Sequence, residues 1–302
     1  MKRFIINILI FFSIVSIIDA SVGRIGNYLQ HHAKGGEFKM FDDLVLKNKH
    51  DIVILGSSRA HRHYDTPLMT EMLNLDVYNA GYDGNGIILS VGIMEMVLDR
   101  YKPKLVIFDI EPAFDIEVYN ADNNHKRYLT HLRPYYNKRG IDRIFKDISY
   151  EEWCKVHFGM MRYNTVIVPM AIDNLINRGV EDRGFNPEFG QMKEDREVEN
   201  QIAVIDYFKL HYVKRLIELT QEHGVQLLFA ASPKYGVRDS RTLDPIREIC
   251  NEDNIPFLDY YSDTSFVCHK EYFKEPMHLN AEGAKNYSTK ISDRIRIEFL
   301  NN

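Results

Sequence analysis

The sequence predicts an α/β protein built on a three-layer, doubly wound parallel sheet of about five strands, with a mainly helical insertion. Two observations predict this fold class. Short apolar runs of strand length alternate with longer segments of helical periodicity, before residue 112 and again after residue 200. The runs are apolar almost throughout, which is typical of strands buried on both faces. A chain of 302 residues is long enough for one expanded domain of this kind.

The first half of the predicted sheet precedes residue 112. Its elements, in order, are a strand over 51–56, a helix over 67–75, a strand over 76–80, a helix over 87–101 and a strand over 104–110. Gly-Ser-Ser ends the first strand, and a glycine-rich loop follows the second. Pro103 ends the second helix, because proline cannot continue a helical hydrogen-bond ladder.

The alternation pauses between residues 113 and 200, which we interpret as an insertion that caps the sheet. Helices are predicted over 141–158 and 165–177, and the polar segment 178–199 predicts a mobile loop. The aromatic residues of the insertion pack its core or line a substrate groove, and packing is favoured. They are Tyr128, Tyr135, Tyr136, Trp153 and Phe158.

Strands and helices alternate again after residue 200. The predicted elements are a helix over 202–223, a strand over 225–231, a helix from Asp239 or Ser240 to 251, a strand over 255–259 and a terminal helix over 281–300. Ligands bind outside the carboxyl ends of strands in open parallel sheets, so functional residues are expected in the loops at that edge.

The N-terminal segment predicts export. Lys2 and Arg3 precede an uninterrupted apolar stretch from Phe4 to Ile18, and small residues follow it. This pattern is typical of a secretory signal peptide within residues 1–22. Ile18 is bulky for a position three residues before a cleavage site, so an uncleaved membrane anchor is an equally good interpretation. Both place residues 23–302 in the periplasm or another extracytoplasmic compartment, whereas a buried cytosolic helix is the third alternative.

Composition excludes some functions. The net charge is −5 and there is no long run of lysine or arginine, which argues against nucleic-acid binding. The three cysteines, Cys154, Cys250 and Cys268, lack metal-ligand spacing, and buried thiols are favoured over a Cys250–Cys268 disulfide. No acidic or cysteine cluster completes a metal site with His61 and His63, so neither metal nor cofactor is predicted.

Two short motifs supply residue types that acyl transfer needs. Ser58 follows the first predicted strand, where a helix start can stabilise negative charge. His278 precedes the terminal helix and Glu275 lies three residues before it. A hydroxyl, an imidazole and a carboxylate form a nucleophile, its general base and the group that orients the base. Each motif alone also fits a helix cap or a surface histidine.

Together the motifs resemble blocks of the SGNH/GDSL hydrolases. Gly-Ser-Ser at 56–58 is similar to the first block, Gly-Asp-Ser, whose last serine is the nucleophile, and this assigns Ser58. The run 79–84 is similar to the second block, whose last glycine, here Gly84, gives a backbone N–H to the oxyanion. Glu-Pro-Met-His at 275–278 is similar to the last block, Asp-x-x-His. The resemblance implies a flavodoxin-like fold.

The resemblance covers residues 50–112 and 200–300, and the chain departs from it in two ways. Glu275 replaces the usual aspartate, and Ala113 stands near the expected asparagine of the third block. The oxyanion would therefore be held by the N–H groups of Ser58 and Gly84, with Asn85 as a replacement donor. His61 and His63 are expected to contact the substrate. Asp109 and Glu111 at the end of the third strand either border the crevice or are solvated carboxylates, and solvated carboxylates are favoured.

The resemblance implies a serine esterase or O-acyltransferase that acts on an acylated envelope glycan or a small ester. Its relatives include the proteins for D-alanyl transfer to teichoic acids and for alginate O-acetylation, which suggests a membrane-bound O-acyltransferase partner. The alternative from another class is a catalytically weak glycan-binding accessory protein, favoured by the absent asparagine block and the aromatic insertion.

Overall fold

The structure is a computed structural model that describes residues 1–119, 125–176, 181–193 and 203–300. The chain divides into two compact units. The first unit lies within residues 1–47 and 125–180, and the second within residues 48–124 and 181–302. The predicted insertion over 113–200 is thus shared between the units, because its central part belongs with the N-terminal segment.

The second unit contains the predicted parallel sheet. The strands of the described residues are β1 (Ile52–Gly56), β2 (Val77–Gly81), β3 (Leu105–Asp109), β4 (Glu117–Tyr119), β5 (Ala203–Ile205), β6 (Gln226–Ala231), β7 (Phe257–Asp259), β8 (Phe273–Glu275) and β9 (His278–Leu279). Five of them pair in parallel in the order β2-β1-β3-β6-β7. This is the order of a flavodoxin-like doubly wound sheet. The predicted fold class is confirmed.

Helices surround the sheet and also build the first unit. The α-helices of the described residues are α1 (Lys2–His31), α2 (Gly36–Asp42), α3 (Ser58–His63), α4 (Thr66–Leu73), α5 (Ile87–Leu98), α6 (Pro112–Asp115), α7 (Ile141–Ile148), α8 (Tyr150–Lys155), α9 (Gly159–Tyr163), α10 (Ile167–Leu175), α11 (Tyr207–His223), α12 (Asp244–Glu252), α13 (Thr264–Val267) and α14 (Ala281–Ile295).

The sheet is buried on both faces, as its apolar strands require. Ile54 and Ile107 share one core cluster with Met69 of α4 and Tyr287 of α14. On the other face α5 and α11 pack against each other, with contacts to β1 and β6. Each fully buried isoleucine or leucine side chain stabilises the fold by about 1.5–3 kcal/mol relative to exposure.

The helices predicted over 202–223 and 141–158 differ most from the structure. The helix predicted over 202–223 begins at Tyr207, because Asp206 caps it with its carboxylate and 203–205 form β5, antiparallel to β4. The helix predicted over 141–158 is divided into α7, α8 and the turn before α9, because Ser149 and Phe158 have extended backbone angles. Of the loop predicted over 178–199, residues 178–180 and 194–199 lie outside the described residues.

The N-terminal helix is longer than the apolar stretch that predicted it. In α1 the side chains of the stretch from Phe4 to Ile18 are exposed almost throughout, and the helix then continues to His31. The helix is long and apolar enough to cross a membrane. Its last part packs on α9, α10 and α2 within the first unit.

The cysteines differ from the expected buried thiols. All three are free. Cys250 is buried, but Cys154 is half-buried and Cys268 is exposed, so burial was the wrong expectation for two of them.

Candidate functional site

The turn between β1 and α3 presents Ser58 at the carboxyl edge of the sheet. Gly56 ends β1 with a φ of 143°, and a Cβ at this position would lie 2.7 Å from the carbonyl oxygen of Asp109. Only glycine therefore lets the chain turn so close to β3. Ser57 then caps α3 by accepting from the backbone N–H of Arg59 at 3.3 Å. Ser58 begins the helix, and its N–H belongs to the first turn, where no intrahelical acceptor exists.

Folding brings His278 to this serine across 220 residues. Ser58 Oγ lies 2.8 Å from His278 Nε2. His278 Nδ1 lies 2.5 Å from Glu275 Oε1, and the other carboxylate oxygen accepts from the Met277 N–H at 3.2 Å. Both residues belong to the short β8–β9 hairpin, which places them beside the serine.

The carboxylate fixes which nitrogen of His278 can act as a base. Burial favours the neutral form of Glu275, but the hydrogen bond and the charge of His278 outweigh it, so the pKa of this carboxyl lies below its usual value. An ionised Glu275 holds the proton on Nδ1 of His278. Nε2 is then left as the acceptor for the hydroxyl proton of Ser58.

A second histidine, His63, binds the backbone of this hairpin. His63 is fully buried, and its Nε2 accepts from the Leu279 N–H at 2.9 Å. Because Nε2 accepts, Nδ1 carries the proton and donates to Ser232 Oγ at 2.8 Å. Ser232 Oγ in turn donates to Asp109 Oδ2 at 2.9 Å. A chain of buried hydrogen bonds therefore ties the residue next to His278 to the ends of β3 and β6.

In these hydrogen bonds the ring of His63 is neutral, and it is buried rather than available to bind a substrate as expected. Burial, followed by the charges of Arg59 and His278, holds the pKa of His63 well below its usual value. A side chain with no exposed surface and two occupied nitrogens cannot reach a substrate without breaking these bonds. The expected substrate contact by His63 is corrected on this ground.

The strand-end carboxylates are buried, so the expectation that they are solvated was wrong. Asp109 accepts from the Tyr64 hydroxyl at 2.8 Å and the Ser232 N–H at 2.9 Å. Burial is nonetheless the largest effect and raises the pKa of Asp109 to about 6. Glu111 pairs with the guanidinium of Arg59 at 2.5 Å, with both side chains buried. Arg59 follows Ser58 in α3, so this buried pair ties the start of that helix to the residue two positions after β3.

The glycine-rich loop after β2 is held against α3. A Cβ on Gly81 would lie 2.5 Å from the backbone nitrogen of His61, so this glycine permits the contact between β2 and the helix. Arg62 binds both carboxylate oxygens of Asp83, with Nη2 at 2.5 Å from Oδ2. Although burial opposes ionisation, His61 and Arg62 keep the pKa of Asp83 well below its usual range. The loop that carries Gly84 is thereby fixed to the helix that begins at Ser58.

His61 joins this loop to the segment 181–193. Its Nδ1 lies 3.0 Å from Asp83 and its Nε2 lies 2.6 Å from Glu181. Burial disfavours the charged ring, but these two carboxylates outweigh it and raise the pKa of His61 to about 9. Glu188 of the same segment pairs with Arg62 at 2.9 Å. Both nitrogens of His61 are thus engaged, and a substrate contact by this residue stays a prediction.

The expected oxyanion residues lie in the same loop. Gly84 has a φ of 67°, and a Cβ there would meet no neighbouring atom. Asn85 is largely buried, and its side-chain amide donates to the carbonyl of Asp83 at 2.9 Å. One N–H of that amide is therefore used to shape the loop. The oxyanion roles of both residues stay predictions.

Sequence reasoning missed the charged residues that support the site. Arg59 and Arg62 lie in the run that follows Ser58, and a positive charge every third position of a short helix was the available signal. Glu181 and Glu188 gave no signal, because their partners are more than 100 residues away along the chain.

Comparisons with known proteins give only distant similarities. No protein-family model matches the chain, and no curated protein matches it. Among solved structures, a candidate acylhydrolase from Bacteroides fragilis has a TM-score of 0.41 at 13% identity, covering 89% of this chain and 97% of that one. A candidate platelet activating factor from Streptococcus pneumoniae has a TM-score of 0.40 at 9% identity, with 96% and 98% covered.

A third solved structure is a gut microbial diltiazem-metabolizing enzyme. Its TM-score is 0.40 at 11% identity, covering 82% of this chain and 48% of that one. At such scores these similarities carry no weight in assigning an activity.

Proposed function

We propose that this protein is an SGNH-type serine esterase or O-acyltransferase with Ser58, His278 and Glu275 as its catalytic residues. The observation that carries the proposal is the contact of Ser58 Oγ with His278 Nε2 at 2.8 Å, with Glu275 behind the same imidazole at 2.5 Å. This arrangement can supply a general base to a hydroxyl, which is worth about 10²–10⁴-fold in rate. Two buried contacts support these residues: Arg59 with Glu111 beside Ser58, and His63 with the Leu279 N–H beside His278.

The proposed reaction begins with the attack of Ser58 Oγ on an ester carbonyl. His278 Nε2 takes the hydroxyl proton as the new C–O bond forms, and the carbonyl oxygen becomes an oxyanion. The protonated His278 then gives this proton to the leaving alcohol as its C–O bond breaks. Water or a sugar hydroxyl attacks the resulting acyl-enzyme by the same steps, which returns the proton to Ser58.

The N–H groups of Ser58 and Gly84 are the proposed donors to the oxyanion. The SGNH hydrolases use a third donor, an asparagine side chain, and Ala113 stands near its position in this chain. We propose that the second N–H of the Asn85 amide, in the residue after Gly84, replaces it. Loss of one donor costs about 10²–10³ in turnover in a serine protease. We therefore expect slow hydrolysis of small esters.

The N-terminal helix and a nearby groove support an extracytoplasmic glycan substrate. We propose that α1 is a membrane anchor or signal and that the remaining chain is exported. A groove of about 660 Å³ lies between residues 188–193 and the start of α14, three residues after His278. Phe189 is exposed there beside Gln191. An exposed ring can pack on a sugar face while a neighbouring amide binds the sugar hydroxyls.

A fluorophosphonate probe tests the catalytic proposal most directly. We expect the probe to label Ser58 in the wild-type protein, as read by peptide mass spectrometry, and to label neither Ser58→Ala nor His278→Ala. Hydrolysis of a short aryl ester should fall to background in both variants while their circular dichroism is unchanged. Equal rates in all three proteins would instead favour the glycan-binding accessory protein, for which the missing asparagine argues.

Hydrolysis and transfer are separated by the acceptor. The protein is offered an aryl acetate together with an oligosaccharide, and acetylated sugar is measured by mass spectrometry. Acetylated sugar that depends on Ser58 would support an O-acyltransferase and its membrane-bound acyl-donor partner. Free acetate alone at every sugar concentration would leave only the esterase.

A further inference from the structure

The first unit carries a group of exposed apolar side chains beside the point where the apolar stretch of α1 ends. Phe158, Met160 and Met161 are 57%, 46% and 50% exposed. They lie on α9 or directly before it, and α9 packs along α1. We call these three residues the α9 collar. Exposed apolar side chains that are neighbours along the chain are a candidate site for contact with a protein or a membrane.

The collar is level with the end of the apolar stretch. The carboxylate of Asp19, the first charged residue after Ile18, accepts from the backbone N–H groups of Gly159 and Met160, each at 2.9 Å. Gly159 also lies directly against Gly23, because a Cβ on Gly159 would be 2.6 Å from the Gly23 nitrogen. The ring of Tyr163 packs on Gly26 further along. The two helices therefore run side by side from Asp19 onwards.

The hydrogen bonds to Asp19 allow the part of α1 in contact with lipid to extend past Ile18. Both oxygens of Asp19 are satisfied by backbone donors, which lowers the cost of placing this residue near lipid. The stretch from Phe4 to Ile18 spans only about 22 Å as a helix, whereas the hydrocarbon core of a bilayer is about 30 Å thick. A hydrophobic span shorter than the hydrocarbon core is accommodated by local thinning of the bilayer or by flanking side chains that reach the interface.

Aromatic and basic groups of the kind found at membrane interfaces lie on α8, α9 and the turn between them, next to the collar along the chain. Trp153 lies 4.8 Å from the ring of His157 and 5.2 Å from that of Tyr150, which is 71% exposed. The guanidinium of Arg162 lies 4.1 Å over the ring of Tyr136. Such side chains are enriched at the level of lipid headgroups.

We infer that the α9 collar inserts into the lipid bilayer at the end of the α1 span, so that α9 and α1 enter the membrane surface together. This inference rests on the proposed role of α1 as a membrane anchor. The occupant is lipid, because the collar adjoins the end of the exposed apolar surface of α1 at Asp19. The collar thereby adds apolar contact with lipid beside the end of the short α1 span, and this contact holds the first unit at the bilayer surface.

Tryptophan fluorescence in vesicles tests the inference, because Trp153 is the single tryptophan of the chain. In a Trp153→Phe background of the full chain, one new tryptophan is placed at Phe158 and the protein is reconstituted with phosphatidylcholine and phosphatidylglycerol. We expect blue-shifted emission that is strongly quenched by lipids brominated near the headgroup end of their chains. Met161→Trp repeats the test if Phe158→Trp does not fold.

Two further positions provide matched controls. Leu175→Trp is the aqueous control, since Leu175 is 84% exposed and Asn174 binds the carbonyl of Leu29, about 15 Å along α1 from Asp19. Its emission should stay unquenched. Ile10→Trp lies within the proposed span and should be quenched by lipids brominated deep in the chain.

The outcomes separate the two proposals. Quenching at Ile10 without quenching at Phe158 or Met161 would overturn the collar and keep the anchor, and the exposed patch would then suit a protein partner. No quenching at Ile10 would overturn the anchor itself. Equal quenching at Leu175 and Phe158 would contradict the proposed depth of the collar.

Discussion

Replacing His63 tests whether the buried hydrogen-bond chain positions the β8–β9 hairpin, which carries the proposed base His278. His63→Ala removes the acceptor of the Leu279 N–H and the donor to Ser232 Oγ, which lie 2.9 and 2.8 Å from the ring. Leu279 is fully buried, so water cannot replace the lost acceptor easily. Each buried group left without a partner costs about 1–3 kcal/mol. We expect the free energy of unfolding to fall by about 2–5 kcal/mol, including the cavity.

The effect on turnover comes from the neighbour of Leu279. His278 precedes it, and its Nε2 must stay within hydrogen-bond distance of Ser58 Oγ. A displacement of about 1 Å can cost about 10² in rate. We therefore expect kcat to fall about 10²-fold while KM stays unchanged, because the ring of His63 is fully buried and so is not available to bind a substrate.

Two variants make the assay specific. His63→Gln keeps an acceptor for the Leu279 N–H and should recover part of the rate. His50→Ala is the matched control: His50 is another largely buried histidine, bonded to Asp76 at 2.8 Å, and it precedes β1 at the opposite edge of the sheet. It should cost stability without lowering kcat. The measurements are urea unfolding and aryl-ester kinetics at a temperature where each variant is folded.

The reasoning would be refuted by a folded His63→Ala protein with wild-type kcat. It would also be refuted if His50→Ala lowered kcat as strongly, since the loss would then follow stability alone.

The neutral state of His63 adds a dependence on pH. The folded protein holds its pKa well below the usual value, whereas the unfolded chain takes up a proton near pH 6.5. The unfolded state therefore binds more protons below about pH 6.5, and the stability contributed by the neutral ring is lost as pH falls. His63→Gln should show a weaker loss of stability between about pH 7 and pH 5.

Three further changes test the support of the site. Glu275→Gln removes the charge behind His278, so kcat should fall by about 10²–10⁴-fold in the ester assay; an unchanged kcat would exclude Glu275 from catalysis. His61 has a folded pKa of about 9 against an unfolded value near 6.5, so its contribution is complete below pH 6.5 and is lost as pH rises through about 9. Urea unfolding should therefore show this alkaline loss in the wild type and not in His61→Gln. Gly81→Ala would place a methyl group 2.5 Å from the His61 nitrogen and should cost about 1–3 kcal/mol in thermal unfolding, whereas an unchanged melting temperature would show that the backbone yields there.

The sequence predicted most of the second unit. The strands at 51–56, 76–80 and 104–110 agree with β1, β2 and β3 within one residue at either end. A strand buried on both faces is an apolar run, and glycine or proline marks its end, so the signal is local. The predicted helix at 202–223 was wrong at its start, because β5 pairs with β4, which lies outside that local window.

The candidate site was predictable in its chemistry and only partly in its contacts. Ser58, His278 and Glu275 could be chosen from two short motifs at the ends of predicted elements. The residues that hold these three in position could not be predicted from the sequence. His63 depends on partners 169 and 216 residues away, and no local pattern distinguishes it from His61, whose charged ring lies between two carboxylates.

The sequence alone determined the α/β class, the apolar N-terminal helix and the residue types that acyl transfer needs, because each follows from neighbours within a few positions. The tertiary structure alone decided the burial of Asp109 and Glu111, the neutral state of His63 and the packing of α9 on α1. Each of these depends on what distant segments place around a group, since burial and charge are properties of the surroundings rather than of the residue.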